Sequence, residues 1–176
     1  MPIHLYQSKK VQSYLGDMIY DINEPLKEQI DPLLIWYVDV YFIKRKRYLI
    51  IANPLTKFTF FIFRYSKKSH PDFLVAFKEN LAHSLQSIDI DPEKYLNKCD
   101  KIYPITETNR SASAHLSRIK EDYGGMISTC WHDVYPPDDE LFYNQLICEN
   151  ITTYGRKEYD FPKRRFYQEL ILRRWD

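Results

Sequence analysis

The chain has 176 residues, 44% of them apolar, and 25 basic against 24 acidic side chains leave a formal net charge of +1. That length suits one domain with a sizeable core. The charge balance excludes a global attraction to nucleic acid or anionic membrane, so such binding would need a local patch. The strongest apolar stretches are broken by Asp39, by the basic run 44–47 and by Asn53-Pro54, short of the roughly 18 residues a membrane span needs.

Residues 3–6 read as a short opening strand. Residues 7–15 follow as a helix with Val11, Tyr14 and Leu15 at helical spacing and Gly16 as its stop. Residues 17–34 carry Pro25 and Pro32 without a clean period and read as a loop, with one helical turn near 25–29. The clearest signal lies at 35–44. Trp36, Val38, Val40 and Phe42 share one face of a strand, and Tyr37, Asp39 and Tyr41 share the other. Residues 47–52 and 58–64 are further β-rich runs, joined through the turn cluster Asn53-Pro54-Leu55-Thr56. The expected product is an antiparallel meander of three to five strands centred on 35–64.

Helices then supply cover. Residues 71–87, capped by Ser69, carry a stripe of Phe73, Leu74, Phe77, Leu81, Leu85 and Ile88. A short helix follows Asp91-Pro92, and residues 101–105 are a candidate strand. Thr108 or Asn109 caps a helix to Tyr123, ended by Gly124-Gly125. Asp138 caps another to about 151, with Leu141, Phe142, Leu146 and Ile147 inward. A tail helix at 162–175 has Phe166, Leu170, Ile171 and Trp175 in period. The fold class is α+β, one compact domain over 1–176 with four to five covering helices, and residues 156–176 form a basic helical extension.

Three segments carry a family resemblance. They are Ile3-His4-Leu5-Tyr6 with Ser8-Lys9-Lys10 and Leu15-Gly16; Trp36 running through a basic hairpin to Asn53-Pro54-Leu55-Thr56; and Asn109-Arg110-Ser111. Together they resemble the DUF6933 family of small bacterial and phage proteins of unknown function, over roughly residues 1–155. The chain departs from the family pattern at Tyr37, where the family carries His, and after Ser111, where a Gly and an Asn are replaced. The resemblance implies a single compact domain and supplies no reaction.

The residues themselves offer no complete catalytic set, metal site or cofactor cradle. Four glycines form no phosphate-binding loop, and the histidines show no HExxH or His-x-His. Cys130-Trp131-His132-Asp133 is the densest reactive cluster, but neighbours in sequence rarely make a working triad. Cys99, Cys130 and Cys148 are odd in number and widely spaced, which points to free thiols in a reducing cytoplasm.

Three functions remain open. The first is a non-catalytic binding or regulatory module acting on another protein, with self-association as a variant. The second is a nucleic-acid binder using Lys44, Arg45, Lys46 and Arg47 beside Tyr41, with the Arg-rich tail. The third is a small hydrolase or transferase in which Asn109, Arg110 and Ser111 hold an anion at a helix start, with Ser111 and His115, or Cys130 and His132, as reacting groups. Trp36, Asn53 and Arg110 are expected to lie within the same half of the domain; convergence on one pocket would favour a ligand site, and separation would make them scaffold residues.

Overall fold

The computed structural model describes residues 1–15, 30–43, 45–105, 109–129, 139–154 and 157–175. Its strands are β1 (Ile3–Gln7), β2 (Ile35–Ile43), β3 (Lys46–Ala52), β4 (Thr59–Ile62), β5 (Ile102–Ile105), β6 (Thr152–Tyr154) and β7 (Glu158–Asp160). Its helices are α1 (Lys9–Leu15), α2 (Phe73–Gln86), α3 (Glu93–Leu96), α4 (Arg110–Thr129), α5 (Glu140–Glu149) and α6 (Pro162–Arg173). One sheet has the order β4-β3-β2-β1-β5, and β6 and β7 form a separate hairpin that the sequence pattern does not announce.

The meander β2-β3-β4 is antiparallel as expected, with Tyr37 opposite Ala52 and Ile50 opposite Phe61. The sheet as a whole is mixed, which corrects the purely antiparallel expectation. β1 lies parallel to β2, Leu5 opposite Trp36, and β5 lies parallel to β1, Ile3 opposite Ile102. The long connections before β2 and before β5 let the chain cross over and return in the same direction.

Strand alternation sends side chains into two cores, one on each face of the sheet. On the first face Leu5, Trp36, Val38, Leu49, Phe60 and Ile62 pack against Val11 of α1, Phe77 and Leu81 of α2, Tyr95 of α3 and Phe166 of α6. On the second, Tyr37, Ile50, Ala52 and Phe61 pack against Leu116, Ile119 and Tyr123 of α4 and Tyr143 and Ile147 of α5. A sheet this apolar needs both covers. The aromatic excess goes largely here, with the Trp36 ring in edge contact with Phe58, Phe60 and Phe77.

Several element ends differ from expectation for identifiable reasons. α2 is capped by Asp72, whose carboxylate accepts from the Leu74 and Val75 amides, while the Ser69 hydroxyl bonds Ser66. α4 continues through Gly124-Gly125. A Cβ at Gly124 would lie 2.6 Å from the Tyr41 ring, so this glycine permits close approach of helix to sheet and does not stop the helix. α5 is capped by Asp139, and Leu141 points outward, half exposed. Gly16, the turn near 25–29, Lys44, Thr108, the 130–133 cluster and Asp138 lie outside the described residues.

β4 ends the sheet, and α5 covers its free edge with side chains in place of a strand. Glu140 accepts from the Phe63 amide, Asn144 bonds both the N–H and the C=O of Phe61, and the Cys148 thiol donates to the Thr59 carbonyl. Three helix positions four residues apart thus meet strand positions two residues apart.

Candidate functional site

Asn53 follows β3 and is fully buried. Its amide nitrogen donates toward the Pro32, Leu33 and Ile35 carbonyls at 3.2, 3.1 and 2.8 Å. Its oxygen accepts from the Leu55 and Thr56 amides and the Thr56 hydroxyl at 3.1, 3.0 and 3.1 Å. A primary amide has no further capacity. Asn53 therefore fastens the 53–56 turn to the segment entering β2. Trp36 is also fully buried, its indole N–H donating to the Tyr95 hydroxyl at 2.9 Å, and that hydroxyl donates to the Leu33 carbonyl at 2.9 Å. Neither side chain faces solvent.

Asn109 caps α4, its side-chain oxygen accepting from the Ser111 and Ala112 amides at 3.0 and 3.2 Å. Those amides, which an anion would need, are already occupied. Arg110 and Ser111 are exposed, on the helix layer opposite Trp36. Trp36 packs into the core on one face of the sheet, while Arg110 opens α4, whose Leu116 and Ile119 belong to the core on the other face.

The basic hairpin turns through Arg45, whose φ is 66°, a left-handed conformation a two-residue connection requires. Arg45 and Lys46 are exposed at its tip. Arg47 instead lays its guanidinium 4.3 Å from the centre of the Tyr14 ring. Tyr41 is half-buried, with the phenol end of its ring against Gly124 of α4.

His115 brings its Nε2 within 3.1 Å of the Thr59 hydroxyl. That hydroxyl donates to the Lys57 carbonyl, so it accepts from the imidazole. Burial, reinforced by the Lys57 charge, pushes the His115 pKa down to about 4. His115 is thus neutral near pH 7 and tied to the sheet. Burial pushes the Cys99 and Cys148 thiols up to about 12, which removes them as nucleophiles near neutrality. Among the described residues no group of three His, Cys, Asp or Glu converges in a way that would hold a metal ion.

A cleft of about 60 Å³ opens where β1 ends, lined among others by Tyr6, Tyr37, Asp39 and Ser113. The Tyr6 and Tyr37 rings stack at 4.8 Å and 19°. Asp39 is ion-paired with Lys120 of α4, so the one carboxylate of the cleft is answered within the fold.

Six of the eleven exposed large hydrophobic side chains among the described residues lie at the other end of the chain, between 151 and 172. Phe166 and Leu170 anchor α6 in the core, and its flanking and outer positions expose Tyr167, Ile171 and Leu172 at 48, 45 and 74%. Arg164, Tyr167 and Ile171 fall at i, i+3 and i+7 and line up along the helix. At the start of α6, Tyr159 and Phe161 are exposed as well. Sequence periodicity groups Ile171 with the buried positions. The four-residue spacing of Phe166 and Leu170 is the signal that separates them, because Ile171 lies 100° further round.

No curated protein matches the chain. Among solved structures, the catalytic core domain of BIV integrase matches over 79% of this chain and 97% of its own, with a TM-score of 0.50 and 9% identity. At that identity the likeness is one of fold. A family model matches residues 4–165, from β1 into α6, and this chain belongs to that family, described as "Domain of unknown function (DUF6933)".

Proposed function

We propose that this chain is a non-catalytic binding module that acts on another protein through the outer face of α6 and the adjoining β6–β7 hairpin. The observation that carries the reading is where the exposed apolar surface sits. Of the eleven large hydrophobic side chains exposed among the described residues, six lie between 151 and 172: Ile151, Tyr159, Phe161, Tyr167, Ile171 and Leu172. Single exposed apolar residues are ordinary, but a strip of them on a helix locked into the core is the pattern of an interaction surface.

Two points support it. Among the described residues, His115, Cys99, Cys148 and Asn109 have structural tasks. Arg164 stands 67% exposed beside the strip, 3.8 Å from Asp160, so charge as well as apolar area is open to a partner. The free, buried Cys99 and Cys148 thiols agree with a reducing cytoplasm as the setting.

The test is site-specific photo-crosslinking in cells producing the chain. A photoreactive phenylalanine at Tyr167 gives an adduct with one identifiable protein, and the same group at exposed Val75 of α2 does not. Purified partner and full chain re-form the complex, and Ile171→Ser with Leu172→Ser abolishes it. Adducts equal at both positions, or a complex indifferent to the double substitution, would remove the proposal. Sedimentation at twice the monomer mass would assign the face to a second copy instead.

A further inference from the structure

Resting on that reading, we infer that the partner presents an acidic amphipathic helix to α6. Residues 157–175 carry six cations, Lys157, Lys163, Arg164, Arg165, Arg173 and Arg174, against three carboxylates, Glu158, Asp160 and Glu169. The carboxylates are all engaged. Arg165 reaches Glu158 and, at 3.0 Å, Asp160, while Arg173 holds Glu169 and, at 2.7 Å, Asp31. Lys163 in turn pairs with Glu149 at 2.9 Å.

The cations left for a partner are distributed around the apolar strip. Arg164 is 67% exposed and only loosely placed, 3.8 Å from an Asp160 that Arg165 already holds. Lys157 and Arg174 have no ion pair among the described residues and lie before and after the helix. The surface is therefore an apolar ridge with Arg164 along it and cations before and after it in the chain, and among the described residues 157–175 every carboxylate is engaged.

Shape narrows the occupant. Tyr167 with Ile171, and Gln168 with Leu172, form four-residue ridges on a regular helix, the relief into which a second helix packs. At twelve residues, α6 offers about 18 Å of such relief, matched by a partner of three to four turns. The strands beside α6 are only three residues each, too short to pair with an extended segment along the length of the ridge. Apolar contacts supply the affinity, and the cations supply the choice of partner and the speed of encounter, because exposed ion pairs contribute little to stability.

The experiment uses the full-length, isotope-labelled chain and two synthetic peptides of about 18 residues, long enough to be helical. Both carry the same leucine stripe at i, i+3, i+4 and i+7, one with Glu and the other with Lys at the remaining polar positions. The Glu peptide is expected to shift the amides of residues 164–174 and to bind at least tenfold tighter than the Lys peptide at low salt. That advantage should shrink at about 0.5 M salt, where screening acts within a few ångströms. Arg164→Glu with Arg174→Glu should reverse the preference, and Ile171→Ser with Leu172→Ser should abolish binding of both peptides. Equal affinity for the two peptides, preference for the Lys peptide, or shifts confined to other elements would overturn the inference. If a crosslinked partner meets α6 through a neutral or basic segment, the acidic helix is wrong while the protein-binding reading stands. Absence of both adduct and peptide binding removes both.

Discussion

Asn144 satisfies both main-chain groups of Phe61: its side-chain oxygen accepts from the Phe61 amide at 2.6 Å and its nitrogen donates to the Phe61 carbonyl at 3.3 Å. A single side chain thus takes the place of a neighbouring residue on a sixth strand. Since Asn144 is only 2% exposed, water does not replace it. Asn144→Ala should lower stability by roughly 2–4 kcal/mol, the cost of two buried unsatisfied groups. Chemical denaturation measures it, and a loss below about 0.5 kcal/mol would mean that the edge finds other partners.

Asn53→Ala should be more damaging than Asn144→Ala, about 3 kcal/mol or more, because six contacts in two directions are lost at a fully buried site. Asn53→Asp separates the two halves of the role. It keeps the acceptor for Leu55 and Thr56 and loses the donors to Pro32, Leu33 and Ile35. Denaturation of Asn53→Asp close to wild type would refute the donor half.

Gly124→Ala should destabilise by about 1–2 kcal/mol through overlap with Tyr41, although alanine is the better helix former by about 1 kcal/mol. In a Tyr41→Ala background the same change should become neutral or stabilising. Thermal melts of the four chains test the inversion of sign, and additive effects would contradict it.

Two groups titrate against each other around β4. Burial raises the Glu140 carboxyl to about 7, although the Phe63 amide pulls it down. The folded chain then holds a proton that the unfolded chain releases above about 4.5. This contribution is complete below about 4.5 and is lost as pH rises through 7. His115, lowered to about 4, behaves oppositely: its contribution is present above 6.5 and is lost as pH falls through 4. Glu140→Gln should therefore reduce the loss of stability between pH 5 and 8, by on the order of 1–3 kcal/mol after allowance for solvent screening. His115→Gln should soften acid denaturation. Urea midpoints at several pH values decide both, and parallel curves for Glu140→Gln and wild type would exclude the first.

The two sides of α6 should respond differently. Phe166→Ala, at a side chain in contact with Trp36, Phe58 and Tyr95, should cost about 3–5 kcal/mol. Leu172→Ser should stay within about 0.5 kcal/mol of wild type. Equal losses, read by urea denaturation, would mean that the outer face is packed as well.

The meander is legible in the sequence because alternation at 35–43 and the turn at 53–56 are local signals. The parallel neighbours are not, since β1 and β5 are short and owe their direction to crossovers set by distant helices. Gly124 illustrates a deeper ambiguity: the same residue serves as a helix stop or as room for Tyr41, and only the packed neighbour decides. For the site, Asn53 and Trp36 stand out in the sequence for the same reason that they are buried, being polar or bulky residues at turns and strand centres. The α6 surface is less visible because its apolar outer residues blend with the inner ones until Phe166 and Leu170 define the buried line.

β1 begins almost at the chain start yet lies inside the sheet, between β2 and β5. During synthesis one flank of this strand waits until residue 105 has emerged, roughly five to twenty seconds at ordinary translation rates. For that interval the nascent chain presents an open row of amides and carbonyls beside its most apolar strands. Crowded polysomes would therefore be the setting in which this protein is most exposed to cross-pairing between neighbouring copies, and slowing translation after the meander would lengthen the hazard.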